Sequence, residues 1–69
     1  MNFYEKLADI FEEDVTDETI LKDLEAYDSL SILSIIAMCD KDYHITVTAS
    51  EIRALDTVGD LKAFIESRK

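Results

Sequence analysis

The sequence predicts an all-α fold: four helices packed as a bundle, with a long loop between helices one and two and a short third helix. Three observations point there. Apolar residues recur at three- and four-residue spacing in separate stretches of the chain. There is no proline and a single glycine, so little interrupts a helix. An apolar content of 48% suits a packed core rather than a disordered tail. At 69 residues the chain has room for one domain, residues 1–69. Chains this short bury only about 60% of the surface that their unfolded form exposes. A closed catalytic cavity is hard to build from so little, which favours a module that binds, or is acted upon by, something larger.

The elements follow in order. Phe3, Leu7, Ile10 and Phe11 form a helical stripe, with Asn2 placed to cap and Glu5 three positions on, so a first helix should end near Glu13. From Asp14 to Tyr27 the period weakens, and the expectation is a long, partly helical connection pinned to the core by Ile20, Leu21 and Leu24. Asp28 is a suitable N-cap for a helix from Ser29 to about Lys41. This puts Ser29 in the first turn, facing solvent, near the positive end of the helix dipole, where an attached phosphate is favoured. "HITVTASEIRAL" then reads as a short extended link with Ile45 and Val47 alternating, followed by a capping box, Thr48 and Glu51, for a brief helix through Leu55. Thr57 and Asp60 offer the same signal for a last helix, with Val58, Leu61, Phe64 and Ile65 on one stripe and Arg68 and Lys69 suiting its negative end.

Composition narrows the function. The N-terminus carries acids where a secretory signal carries bases, and no stretch approaches membrane-spanning length, so the expected location is cytoplasmic, without stable membrane insertion. One cysteine, Cys39, cannot form an intrachain disulfide, and with one histidine it cannot complete a structural zinc site of four N/S ligands. The net charge of −9 is concentrated ahead of Ser29: residues 1–28 hold ten acids and two bases, the rest six acids and five bases. Such a field repels nucleic-acid phosphate and speeds encounters with proteins bearing basic patches. It also serves simple solubility.

The second helix is unusual, with apolar residues at 30, 32, 33 and 35–39 and early polar breaks only at Ser31 and Ser34. A helix apolar all round is either buried on every side or uses an outer face for binding. The long loop ending "LKDLEAYDSL", this apolar helix, "YHITVTASEI" and "LDTVGDLKAFI" together resemble the acyl carrier protein family, including the related peptidyl and aminoacyl carriers. The triplet Asp28, Ser29, Leu30 carries the resemblance through its position at the start of helix two. The resemblance implies a carrier rather than an enzyme. Ser29 would accept a 4'-phosphopantetheine group from coenzyme A, transferred by a separate phosphopantetheinyl transferase, and acyl groups would ride on the arm as thioesters. Asp28 and Leu30 would be read by the transferase. Ser31, Ser34 and Met38 on the outer face of helix two, helped by Glu51, would dock partners: acyl-loading ligases or synthases and acyl-transferring enzymes. Leu33, Ile36, Ala37 and Phe64 would line the space for an acyl chain, and the chain is expected to be a monomer.

Members of that family serving fatty acid biosynthesis commonly follow the triplet with an acid and place another three positions later. Here those positions are Ser31 and Ser34, which favours a dedicated carrier of a specialised pathway, polyketide synthesis among the possibilities. Two rivals come from other classes. One is a calcium-binding loop in "DKDYHITVTASE", where Asp40, Asp42 and Glu51 hold the first, third and twelfth positions; it fails at His44, which is no oxygen ligand, and at Ile45, where the sharp turn needs glycine. The other is an unmodified helical interaction domain. His44 lacks a catalytic partner at motif spacing and reads as structural, and Cys39 as a small apolar core residue.

Overall fold

The computed structural model describes residues 2–68, and Lys69, expected at the end of the last helix, lies outside them. Among the described residues four helices, α1 (Phe3–Phe11), α2 (Ser29–Tyr43), α3 (Ala49–Arg53) and α4 (Val58–Arg68), surround one apolar core, with a 3-10 turn at Leu21–Asp23 in the long loop. No strand occurs among the described residues; one isolated antiparallel bridge joins Ile20 to Thr57.

Every helix begins with a reciprocal cap. Asn2 and Glu5, Asp28 and Ser31, Thr48 and Glu51, and Thr57 and Asp60 each exchange a side-chain and a backbone hydrogen bond, satisfying N–H groups that the first helical turn leaves open. Such caps are each worth about 1 kcal/mol, so in a chain with short helices they define where each begins. Helix ends differ from the sequence expectation. Glu12 turns left-handed at φ 60°, so α1 stops at Phe11 rather than near Glu13. α2 runs two residues past Lys41 because Tyr43 still packs on α1, where Lys6 lies over its ring at 5.0 Å. His44, left-handed at φ 57°, then ends the helix and donates its N–H to the Cys39 carbonyl. α3 stops at Arg53, before Leu55, whose N–H closes a tighter turn onto the Ile52 carbonyl at 3.0 Å.

The long loop is fastened to the start of α4 by backbone. Leu21 N–H donates to the Asp56 carbonyl, Val58 N–H to Thr19 and Gly59 N–H to Asp17, each at 2.9 Å. Here the lone glycine is needed: a Cβ on Gly59 would stand 3.0 Å from the Asp17 carbonyl oxygen. Leu21 and Leu24 are buried as expected, whereas Ile20 is 46% exposed. Neighbouring residues in extended backbone point to opposite sides, so a register that turns Leu21 inward turns Ile20 out. Between α2 and α3, Ile45 and Val47 alternate inward as the sequence suggests.

α1 and α2 run antiparallel. Lys6 near the start of α1 pairs with Asp42 at the end of α2, 3.4 Å apart, while Phe11 at the far end of α1 meets the ring of Tyr27, just ahead of α2, at 6.4 Å. α2 turns Ile32, Ile35, Met38 and Cys39 onto Leu7, Phe11, Ile52, Leu61 and Ile65. Replacing Ile35, fully buried, by alanine is expected to lower the unfolding free energy by about 2–5 kcal/mol in urea melts. Leu33→Ala, on the outer side of the same helix, should change it by less than about 0.5 kcal/mol.

Candidate functional site

The start of α2 is built around a closed hydrogen-bond ring. Asp28, with extended backbone, accepts the Ser31 N–H on its carboxylate at 2.9 Å; the Ser31 hydroxyl accepts the Asp28 N–H at 2.9 Å and donates to the Asp28 carbonyl at 2.8 Å. The first ladder bond of α2, from Ile32 N–H to the Asp28 carbonyl, is 3.0 Å. Ser29 and Leu30 lie between these anchors, their N–H groups outside the helical ladder. Ser29 is exposed, and no hydrogen bond among the described residues engages its hydroxyl. No acidic residue stands within the first turn itself. A primary hydroxyl free at the positive end of a helix is a chemically suitable phosphate acceptor, because the dipole and the open N–H groups favour the added negative charge.

The surroundings divide sharply between faces. Leu30 is 72% and Leu33 59% exposed, and Ser34 and Ala37 are exposed beside them. Ser31, expected on this outer face, is only 5% exposed, and Met38, at 8%, packs in the core, so both are drawn in from that face. Serine reads as a surface residue, but here its hydroxyl is occupied by the cap. Leu33 and Ala37, expected inside, face out; Ile36 and Phe64 are half-buried. Residues 29, 33, 37 and 41 share one stripe at four-residue spacing, but spacing alone does not distinguish it from the buried stripe on the other side.

Glu51 lies apart from this stripe, on α3. Its carboxylate accepts the Thr48 N–H at 2.9 Å and pairs with Arg68, whose other arm donates to the Thr46 carbonyl at 3.3 Å. The Thr48 N–H is the main influence holding Glu51 below the ordinary carboxylate value; desolvation opposes it and the Arg68 charge adds to it. Asp40, Asp42 and Glu51 do not assemble a cation site: Asp42 pairs with Lys6, Glu51 with Arg68, and no cluster of three or more metal-ligating residues occurs among the described residues. The Tyr27 hydroxyl, two residues before Ser29, is buried with no hydrogen-bond partner among the described residues.

Ser29 thus presents an exposed hydroxyl in the first turn of a reciprocally capped helix. The chain belongs to the phosphopantetheine attachment-site family, whose model matches residues 3–65. It is similar to holo acyl carrier protein from Geobacter metallireducens, solved by solution NMR, at 29% identity and a TM-score of 0.74, with 94% of this chain and 78% of that chain covered. No curated protein matches the chain significantly. The chain is thus an acyl-carrier-type domain and not an enzyme, its cofactor is covalent 4'-phosphopantetheine, and domains of this kind work with phosphopantetheinyl transferases and acyl-processing enzymes. Among the described residues no helix is long and apolar enough to cross a membrane.

Cys39, the chain's own thiol, is fully buried, and desolvation, with the Asp42 charge adding, pushes it up to about 11. Iodoacetamide at neutral pH should therefore leave Cys39 unmodified in the folded protein and label it once urea unfolds the chain. A thiol raised in the folded state adds stability below its unfolded value of 9.0 that is lost as the pH rises towards about 11. Relative to Cys39→Ala, the native chain should lose stability across that window.

Proposed function

We propose that residues 1–69 act as one carrier domain that holds 4'-phosphopantetheine on Ser29 and ferries acyl intermediates for a specialised pathway. The observation that carries this reading is the exposed, unengaged Ser29 hydroxyl in the first turn of α2, held between Asp28 and Leu30. Attachment forms an Oγ–phosphorus bond at Ser29 and breaks the phosphoanhydride of coenzyme A; adenosine bisphosphate leaves, and the serine proton passes to a base on the transferase. When bound, the arm supplies a terminal thiol that holds an acyl group as a thioester. A flexible tether raises the local concentration of its cargo at each enzyme that docks the carrier, without any cavity in the carrier itself.

The chain's residues do the positioning. Asp28 and Ser31 lock the first turn, so Ser29 is presented in one orientation, and Leu30 beside it gives the transferase an apolar contact. The specialised role rests on the charge of α2. Position 31 is taken into the cap, and position 34 is a neutral serine, so a fatty-acid synthesis partner expecting carboxylates there finds none. Each exposed pair lost is worth less than about 1 kcal/mol, but steering and register weaken together. Coupling to a fatty-acid ketosynthase as efficient as that of a housekeeping carrier would overturn the specialised role.

Intact mass after incubation with coenzyme A and a broad-specificity phosphopantetheinyl transferase tests the attachment. The native chain should gain one phosphopantetheine and Ser29→Ala none. If several transferases leave the folded native chain unchanged, the domain is instead an unmodified docking module, and Ser29 serves only in the first turn of α2.

A further inference from the structure

One polar atom at the edge of the core has nothing to bond. The Tyr27 hydroxyl is the one buried side-chain oxygen or nitrogen without a hydrogen-bond partner among the described residues. The other two tyrosines differ: Tyr4 donates to Asp17 at 2.5 Å and accepts from Lys62 at 3.3 Å, and Tyr43 carries Lys6 over its ring. Tyr27 as a whole is only half-buried, and its ring packs on Phe11 with centroids 6.4 Å apart. The side chain therefore runs from the surface against the apolar core and ends, out of water, in a hydroxyl.

Folding alone does not account for that hydroxyl. Phenylalanine would keep the same ring on Phe11 and remove the cost of an unpaired buried O–H. The residue is fixed by its backbone, its N–H donating to the Leu24 carbonyl at 3.1 Å. It stands two residues before Ser29, so the two Cα atoms are no more than about 7 Å apart. A group tethered to Ser29 begins beside it.

We propose that the Tyr27 hydroxyl is the hydrogen-bond partner of an oxygen on the β-carbon of the carried acyl chain, a hydroxyl or a ketone, so that this carrier favours oxygenated over plain acyl cargo. This rests on the carrier reading above. The phenol wants a partner that the folded chain does not supply, and the tethered group is the one that reading places next to it. Amides of the arm fit poorly, because a trans amide points its N–H and C=O in opposite directions and one hydroxyl satisfies only one of them. A single oxygen on an otherwise apolar chain needs one partner. A phenol donates to a ketone, and donates to or accepts from a hydroxyl. Carbon–carbon bond formation between thioesters leaves oxygen on the β-carbon, which is why the proposal puts it there. A plain acyl chain in the same place would leave the Tyr27 hydroxyl unpaired.

The native chain and Tyr27→Phe are loaded from octanoyl- and 3-hydroxyoctanoyl-coenzyme A by a broad-specificity phosphopantetheinyl transferase, and then unfolded in urea. Before loading, Tyr27→Phe should be at least as stable as the native chain. The ratio of folding constants, 3-hydroxyoctanoyl over octanoyl, should be roughly fivefold higher in the native chain than in Tyr27→Phe. The Tyr27 Cζ resonance should shift with 3-hydroxyoctanoyl and stay in place with octanoyl or the bare arm. A Tyr27→Phe chain that is less stable before loading, an equal ratio in both chains, or a Cζ shift already complete with the bare arm overturns the proposal while leaving attachment at Ser29 intact. If the native chain accepts neither group, the carrier reading falls, and the role of Tyr27 with it.

Discussion

The apolar surface of α2 is larger than a 69-residue chain can cover, and the rest of the structure is arranged around that limit. Three other helices and one pinned loop suffice to bury Ile32, Ile35, Met38 and Cys39. Leu30 and Leu33 remain in water. Leaving two leucines exposed forgoes a few kcal/mol of burial, and both lie on the side of the helix that carries Ser29. The side of the core helix left uncovered is thus the side that carries the Ser29 hydroxyl.

Holding that surface in place falls to hydrogen bonds more than to volume. With no proline and only one glycine, the chain has few residues that dictate a turn by their own backbone preference. Reciprocal caps take over this role at all four helices. The long loop, which could otherwise wander, is stitched by three backbone bonds to the beginning of α4, and Gly59 permits the close approach. The loop delivers Tyr27 and Asp28 to the end of α1, so the first turn of α2 begins at a defined point above the core.

Electrostatics separate approach from contact. The acids ahead of Ser29 create a long-range field suited to drawing in a basic partner, a matter of encounter rate. The exposed outer side of α2 from Leu30 to Ala37 carries no charge, and Glu51 is engaged by Arg68. The buried Cys39 keeps its proton at neutral pH, so the chain's own thiol is held unreactive.

Helix order, cap residues and the placement of Ser29 at the mouth of α2 were legible in the sequence, because a 3.6-residue period and a capping box are local properties set by residues a turn apart. The faces of α2 were not. A helix apolar all round gives no stripe to choose between, and Ser31 and Leu33 each point against their polarity, the serine drawn inward by Asp28 and the leucine left outside. Ile20 and Leu21 were equally apolar, and only the bridge to Thr57 decided which of them turned in. By itself the sequence determined where helices start and which serine stands exposed at a helix end. Tertiary structure decided which side of α2 is core and which is surface, because that choice depends on what the other helices can reach, a property no single segment contains.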